Sequence, residues 1–276
     1  MSYQDVSLAS SATVQPRAIG SVSLSTKLAN GRSAIDRFRT SGASKVLFPN
    51  RRNTVEAIVI NTSGGLTGGD KFDAEFAAGQ GTELAITTQA AERAYRSISG
   101  HAEVTTRISV ASRARAFWLP QELIIFEGSS LNRRLDVCLE NQASFLMVEP
   151  VIFGRSAMGE ALNSISFDDG VRIHRDGSPI YRDACKLKGD VESQLVRQAV
   201  CAGMRAMANV VFVASDAETK LTTVRSQLPT TGGASLLCED ILVFRIVAPD
   251  GFLLRRSLVP ILEILRGQTL PRSWSL

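Results

Sequence analysis

A mostly β protein with a shorter α+β part toward its C-terminus is the fold class the sequence predicts, and three observations carry it. Between residues 19 and 154, apolar and polar residues alternate in short runs separated by glycine, asparagine and proline turns. Helical periodicity is almost absent from that stretch, which argues for an all-β body. From about Ala184 the texture changes, and apolar residues at helical spacing appear between strand-like runs.

The elements justify themselves in order. Residues 19–28, IGSVSLSTKL, alternate as a half-buried strand does, and Asn30-Gly31 is a strong hairpin signal. Residues 32–49 continue in the same style. VEAIVI at 55–60 has the β-branched character of a buried strand. After the glycine-rich run 61–70 comes KFDAEFA, where Phe72, Ala74 and Phe76 alternate with Asp73 and Glu75. GQG at 79–81 is a turn and ELAITTQ at 83–89 a strand, whereas AAERAYRS at 90–97 reads equally as a helical turn or a bulged strand end. Strands follow at 102–110, in ARAFWLPQELIIF, at 134–140, and in ASFLMVEPVIFG, which ends the series near Gly154. In the last part, MANVVFVAS at 207–215 is a buried strand. Residues 216–229 predict a helix with Asp216 as N-cap, Leu221, Val224 and Leu228 on one face, and Pro229 as the stop. Residues 234–248 give one or two strands. SLVPILEILR at 257–266 is a final helical stretch in which Pro260 is tolerable only near a first turn or at a kink. No strict repeat is visible, so periodicity leaves sandwich, barrel and β-helix open.

A chain of 276 residues, 44% hydrophobic and 21% charged, has ample material for a core. Residues 1–17 read as a flexible tail and 18–276 as a single domain, with the β body running to about 188 and the α+β extension over 189–276. The net charge of +4 is spread over scattered arginines, and only 6% of residues are aromatic. That distribution argues against nucleic acid as partner and favours an acidic protein. No apolar run has the length of a membrane span, and the first residues lack the basic and apolar regions of a secretory signal. Four dispersed cysteines without a CxxC pair read as reduced thiols. A cytoplasmic location is the expectation.

The chain reads as organised around NTSGGLTGGD, residues 61–70, where two Gly-Gly pairs imply two tight reversals and Asp70 follows at a strand mouth. It is not a phosphate loop, because Asp70 stands where a Walker lysine would, and GGxxGG is not the dinucleotide fingerprint. The two histidines, His101 and His174, are isolated, and no zinc spacing or GxSxG elbow occurs. Acids near glycines recur instead: Asp70, Glu149, Glu160 and the pair Asp168-Asp169 before Gly170. Any one of them reads first as a turn acid; a pair would also suit glycoside hydrolysis or weak cation binding. Glu149 stands apart because it lies within FLMVEPVIF. A buried acid there requires a partner or a wet cavity, and Arg155 is within reach to pair with Glu149 or Glu160.

Six segments in one order resemble the UreD (UreH) family of urease accessory proteins: NTSGGLTGGD, TTQAAERAYRS (87–97), WLPQELIIFEGSSL (118–131), EPVIFGRSAMGE (149–160), LKGD (187–190) and LPRSW (270–274). The resemblance implies a β-helix-like body with helices toward the C-terminus. It implies no catalysis, no permanently bound cofactor, and a heteromeric complex with UreF and UreG on apo-urease that delivers nickel. It further implies an interior route for the ion, to which Asp70, Glu149 and Glu160 contribute weak, transient metal contacts and Thr88 and Gln89 a polar lining. The alternative from the residues alone is a carbohydrate-active β hydrolase using a carboxylate pair.

Overall fold

The computed structural model describes residues 16–49, 53–155 and 158–275; of the expected tail only Pro16 and Arg17 fall within them. The chain opens with a hairpin of β1 (Ile19–Ala29) and β2 (Arg32–Gly42). Asn30 and Gly31 both take positive φ, 51° and 72°, the geometry that lets a two-residue turn follow the twist of its strands. β3 (Ser44–Leu47) then pairs antiparallel with β4 (Val55–Asn61).

From β4 the chain winds in coils. The strands in order are β5 (Lys71–Ala78), β6 (Glu83–Thr88), β7 (Glu92–Ala94), β8 (Ala102–Val110), β9 (Arg115–Leu119), β10 (Leu123–Ile125), β11 (Ser130–Leu139), β12 (Ser144–Phe153) and β13 (Ile165–Arg175). Successive coils stack in parallel, β1–β5–β8–β11–β13 in one wall and β4–β6–β9–β12 in a facing wall. A short third wall is built from β7, β10 and the end of β12. The result is a β-solenoid-like body, the β-helix-like form that the resemblance implies. Residues 90–97, ambiguous in sequence, resolve to the short strand β7.

Parallel stacking sets like residues over like. Leu24, Phe76, Ile108, Val137 and Ile173 are register partners across five strands, and all are buried. They form the apolar spine of the first wall. The first wall ends antiparallel on both sides, at β2 and at β14 (Ser178–Gly189). The β13–β14 hairpin goes unannounced by the alternation of its residues. Its signal is the dipeptide Asp176-Gly177, both at positive φ.

The second wall continues through β15 (Ala206–Val213), β17 (Ile241–Ala248) and β16 (Gly232–Cys238), all antiparallel. A five-residue helix, α1 (Val191–Leu195), precedes β15, and two longer helices, α2 (Ala217–Gln227) and α3 (Gly251–Arg266), accompany the later strands. Leu254, Leu258, Ile261, Leu262 and Leu265 of α3 bury in one cluster with Phe117, Leu146, Val148 and Phe244 of the second wall. β12 is therefore buried on both faces: Phe145 and Met147 look into the solenoid, Leu146 and Val148 into the helix layer. A strand covered on both sides reads as a continuous apolar run, which accounts for FLMV.

One local expectation needs correction, and another holds in position without its usual hydrogen bond. Pro260 lies at the tenth position of the sixteen-residue α3, deep in its interior. The Asp250 carboxylate caps the helix by accepting from Leu253 N–H at 2.8 Å, and Gly267 closes it at φ 74°. Pro260 and Arg256 both face solvent, so water can serve the carbonyl that proline leaves unpaired, while burial of five leucine and isoleucine side chains offsets a helix cost of about 3 kcal/mol. Asp216 occupies the N-cap position of α2 but its side chain makes no capping bond; it pairs instead with Lys220 at 3.4 Å.

Truncating the spine measures its contribution. Ile108→Ala should cost about 2–5 kcal/mol in urea unfolding, whereas Ile98→Ala, at an 83% exposed position, should stay within about 0.5 kcal/mol.

Candidate functional site

The glycine-rich run is a clamp. Gly64 and Gly69 take φ of 82° and 91°, conformations that suit glycine. At Gly68 a Cβ would come within 2.2 Å of the Ser99 carbonyl oxygen, so the loop after β7 lies directly on the glycine backbone. Asp70 is buried. Its Oδ1 accepts from Ala18 N–H and its Oδ2 from Thr67 N–H, both at 2.8 Å. Those bonds fasten the loop to the start of β1, and Asp70 does not line the interior space described next.

Between the walls lies a cavity of about 240 Å³. Phe72, Phe76 and Leu135 line one side, and Trp118, Arg133 and Glu149 contribute polar atoms. Half-buried Thr88 and exposed Gln89 also line it, at its solvent side, where Thr88 Oγ1 accepts from Gln121 N–H at 2.9 Å. A second, much smaller cavity of about 10 Å³ is lined by Glu149, Asp169, Asp183, Cys185 and Asn209. Glu149 borders both.

The position of Glu149 follows from β12. Residues 145, 147 and 149 share the inward face, so an acid three places beyond Leu146 points into the solenoid. Arg133 arrives from β11, inward on the opposite wall and register partner of Asp169 on β13. Its Nε and Nη2 donate to the two oxygens of Asp169 at 2.9 and 2.7 Å, and its Nη1 lies 2.6 Å from Glu149 Oε2. That last contact is an ion pair without hydrogen-bond alignment, since Oε2 accepts no aligned donor. Trp118 Nε1–H donates to Glu149 Oε1 at 2.6 Å.

One guanidinium thus serves two carboxylates, and with both ionised the cluster carries a net charge of −1 in a mostly buried setting. Such a charge is costly unless a proton or a cation joins it. Burial raises Glu149 above the ordinary carboxylate range, and the charge of Asp169 adds to the shift, while Arg133 and Trp118 oppose it. Burial alone would lower Arg133, but the two carboxylates raise it, so it stays protonated. Neighbouring Cys185 is pushed up to about 11, by burial first and then by Asp169; at neutral pH it is a thiol and a poor metal ligand. On the far side Asn209 donates to Asp183 Oδ2 at 3.0 Å, and Asp183 pairs with Arg245 at 2.5 Å.

The structure gathers some expected residues and separates others. Glu149, Thr88 and Gln89 line one cavity; Asp70 does not, and neither does Glu160. Glu160 closes a surface loop, taking Arg155 Nε and Nη2 at 3.0 and 3.1 Å and Glu127 N–H at 3.1 Å. Arg155 chooses Glu160 over Glu149, and its hydrogen bonds hold Glu160 below the usual carboxylate range. Sequence reading passed over Arg133 and Glu92. Glu92 also lines the large cavity, accepts from Asn61 Nδ2 at 3.1 Å, and is raised by burial. The only sequence signal for Arg133 is the inward alternation of β11, where an arginine stands two positions before Leu135. Among the described residues no three His, Cys, Asp or Glu are placed together to hold a metal ion. Of the carboxylates that border the cavities, Glu149 and Asp169 are engaged by the same arginine, Asp183 by Arg245 and Glu92 by Asn61. Among the described residues no helix is long and apolar enough to cross a membrane.

Two measurements test this geometry. Because Glu149 titrates higher in the folded protein than in the unfolded chain, the native state binds more protons across that window, and stability falls as pH rises through it. Between about pH 5 and about pH 8, wild type should lose stability more steeply than Glu149→Gln in urea melts; parallel slopes would refute the assignment. Asp70→Ala should destabilise by about 2 kcal/mol, since two part-buried backbone amides lose their carboxylate acceptor, as read from the urea midpoint.

Comparison with known proteins places this geometry. The profile of the family described as UreD urease accessory protein matches residues 18–275. The chain is 50% identical over 263 residues to a urease accessory protein UreD of Roseobacter denitrificans, covering 95% of this chain and 96% of the relative. It is 48% identical over 255 residues to that of Ruegeria pomeroyi, covering 92% and 99%, and 42% identical over 273 residues to that of Rhizobium etli, covering 98% and 100%. With this coverage and identity, the chain belongs to the UreD family of urease accessory proteins, helpers in urease maturation that are not themselves enzymes.

Proposed function

We propose that this protein acts as a nickel-delivery scaffold, in a complex with UreF and UreG on apo-urease, and that the ion passes through its interior beside Glu149. The observation that carries the reading is the shared arginine. A buried cluster with one positive and two negative groups, facing two cavities, has an electrostatic place for one more positive charge.

The chemistry suits passage rather than storage. Divalent nickel is held firmly by imidazole and thiolate donors. Here the donors facing the cavities are carboxylate, amide and hydroxyl oxygens, and the nearby thiol keeps its proton. A site that repays only part of an ion's lost hydration admits it and lets it leave. Thr88, Gln89 and Glu92 would offer the first oxygens, and Glu149 the charged one. Asp70 and Glu160, both committed to other hydrogen bonds, support the surrounding loops in this reading and do not touch the ion.

Co-expression with urease and its other accessory proteins provides the test. Glu149→Gln, which keeps the shape and the Trp118 acceptor, should lower the nickel content of purified urease at least about threefold, by elemental analysis, while the amount of accessory complex recovered stays unchanged. Wild-type nickel content in the variant would sink the interior route. Loss of the complex would reassign Glu149 to folding.

A further inference from the structure

The β1–β2 end of the solenoid is set apart by its charge, and it ends in an open strand edge. Between residues 16 and 49, six Arg and Lys side chains face one acid, Asp36, a net +5 against +4 for the entire chain. β2 is the last strand of the first wall and pairs only with β1 among the described residues. Its other side therefore carries backbone N–H and C=O groups without a strand neighbour.

The register sorts the side chains of β2 into two rows. Phe38 stands opposite Leu24 and Ile35 opposite Thr26, so both continue the row that forms the buried spine. Yet Phe38 is 43% exposed and Ile35 39%, with only Phe48 stacked edge-on against Phe38 at 4.8 Å. Arg39 and Arg37 stand opposite Ser23 and Ser25, and Arg32 opposite Ala29, in the solvent-facing row. Protected edges are short, carry proline, or turn a charge inward. This one is eleven residues long without proline, and its inward row, Ser33, Ile35, Phe38 and Thr40, carries no charge; its devices are the outward arginines and the bulge at Asp36, which pairs with Lys27 at 3.1 Å.

We propose that β2 receives an extended acidic segment of a partner protein as an added strand. Backbone pairing supplies the attachment, as in strand addition elsewhere. Alternation supplies the selectivity: apolar side chains of the segment lie over Ile35 and Phe38, and its carboxylates meet Arg37 and Arg39. The segment is thus one in which acidic and apolar residues alternate.

The test uses the full chain and two fluorescein-labelled decapeptides, five Val-Glu repeats and five Val-Lys repeats, followed by anisotropy at low salt. The Val-Glu peptide should bind at least about tenfold more tightly than the Val-Lys peptide. Binding should fall at least about tenfold in the Arg37→Glu/Arg39→Glu double variant, whose Arg37 side chain is already 89% exposed, and with a Val-Glu peptide N-methylated at alternate amides, which cannot extend a sheet and needs no variant to fold. Hydrogen exchange should slow at residues 37–41 on binding. Equal binding of both peptides, indifference to N-methylation, or protection elsewhere would overturn the proposal. Binding that appears only after deletion of residues 1–15 would overturn it in favour of the chain's own N-terminus as the occupant.

Discussion

In-register stacking of parallel coils is the constraint from which the rest of this structure follows. Strands repeat at about 4.8 Å, so each inward side chain lies against its counterpart in the next coil. Where that row is apolar it makes a spine, from Leu24 to Ile173. Where an arginine enters the row, the next coil must answer it, and Asp169 does so with both oxygens. Glu149 then reaches the same guanidinium from the facing wall, and the interior acquires a charge that the spine alone could never hold.

The outward face of the same wall shows why location decides the value of an ion pair. Glu75, Arg107, Asp136 and Arg172 are register partners of alternating sign across four coils, with Arg107 3.5 Å from Glu75 and Arg172 2.6 Å from Asp136. Their arginines are about half exposed, and pairs of that kind are worth roughly 0–1 kcal/mol each. Arg133, Asp169 and Glu149 use the same groups, but with side chains only 14%, 13% and 5% exposed, where removing one partner costs about 3–5 kcal/mol. The outer ladder keeps the sheet soluble and in register; the inner trio is where an added cation or proton changes the energy most.

The second wall supports that trio from behind. α3 covers β12 and β9, and the C-terminal segment locks the helix in place: Trp274 Nε1–H donates to Leu119 O at 3.0 Å, and Arg255 joins Glu122 to the Trp274 carbonyl. WLPQE and LPRSW, far apart in the chain, meet at this one arginine. Their role is to hold the wall carrying Trp118, whose indole reaches Glu149.

The sequence by itself determined what depends on near neighbours. Alternation located nearly every strand of the body; Asn30-Gly31 marked its turn; the paired glycines marked a tight corner; and an acid inside FLMVEPVIF had to have a partner. Only the tertiary structure decided which partner. Arg133 and Asp169 are 36 residues apart and meet because their coils stack in register, while Arg155, the arginine nearer to Glu149 in sequence, turns to the surface and Glu160. The same holds for Asp70, drawn to the amides of Ala18 and Thr67, and for Glu92, carried to the cavity by a three-residue strand. Local propensity is written along the chain, but the pairing of charges across walls is fixed by strand register and by the exclusion of water, and neither exists until the coils have closed.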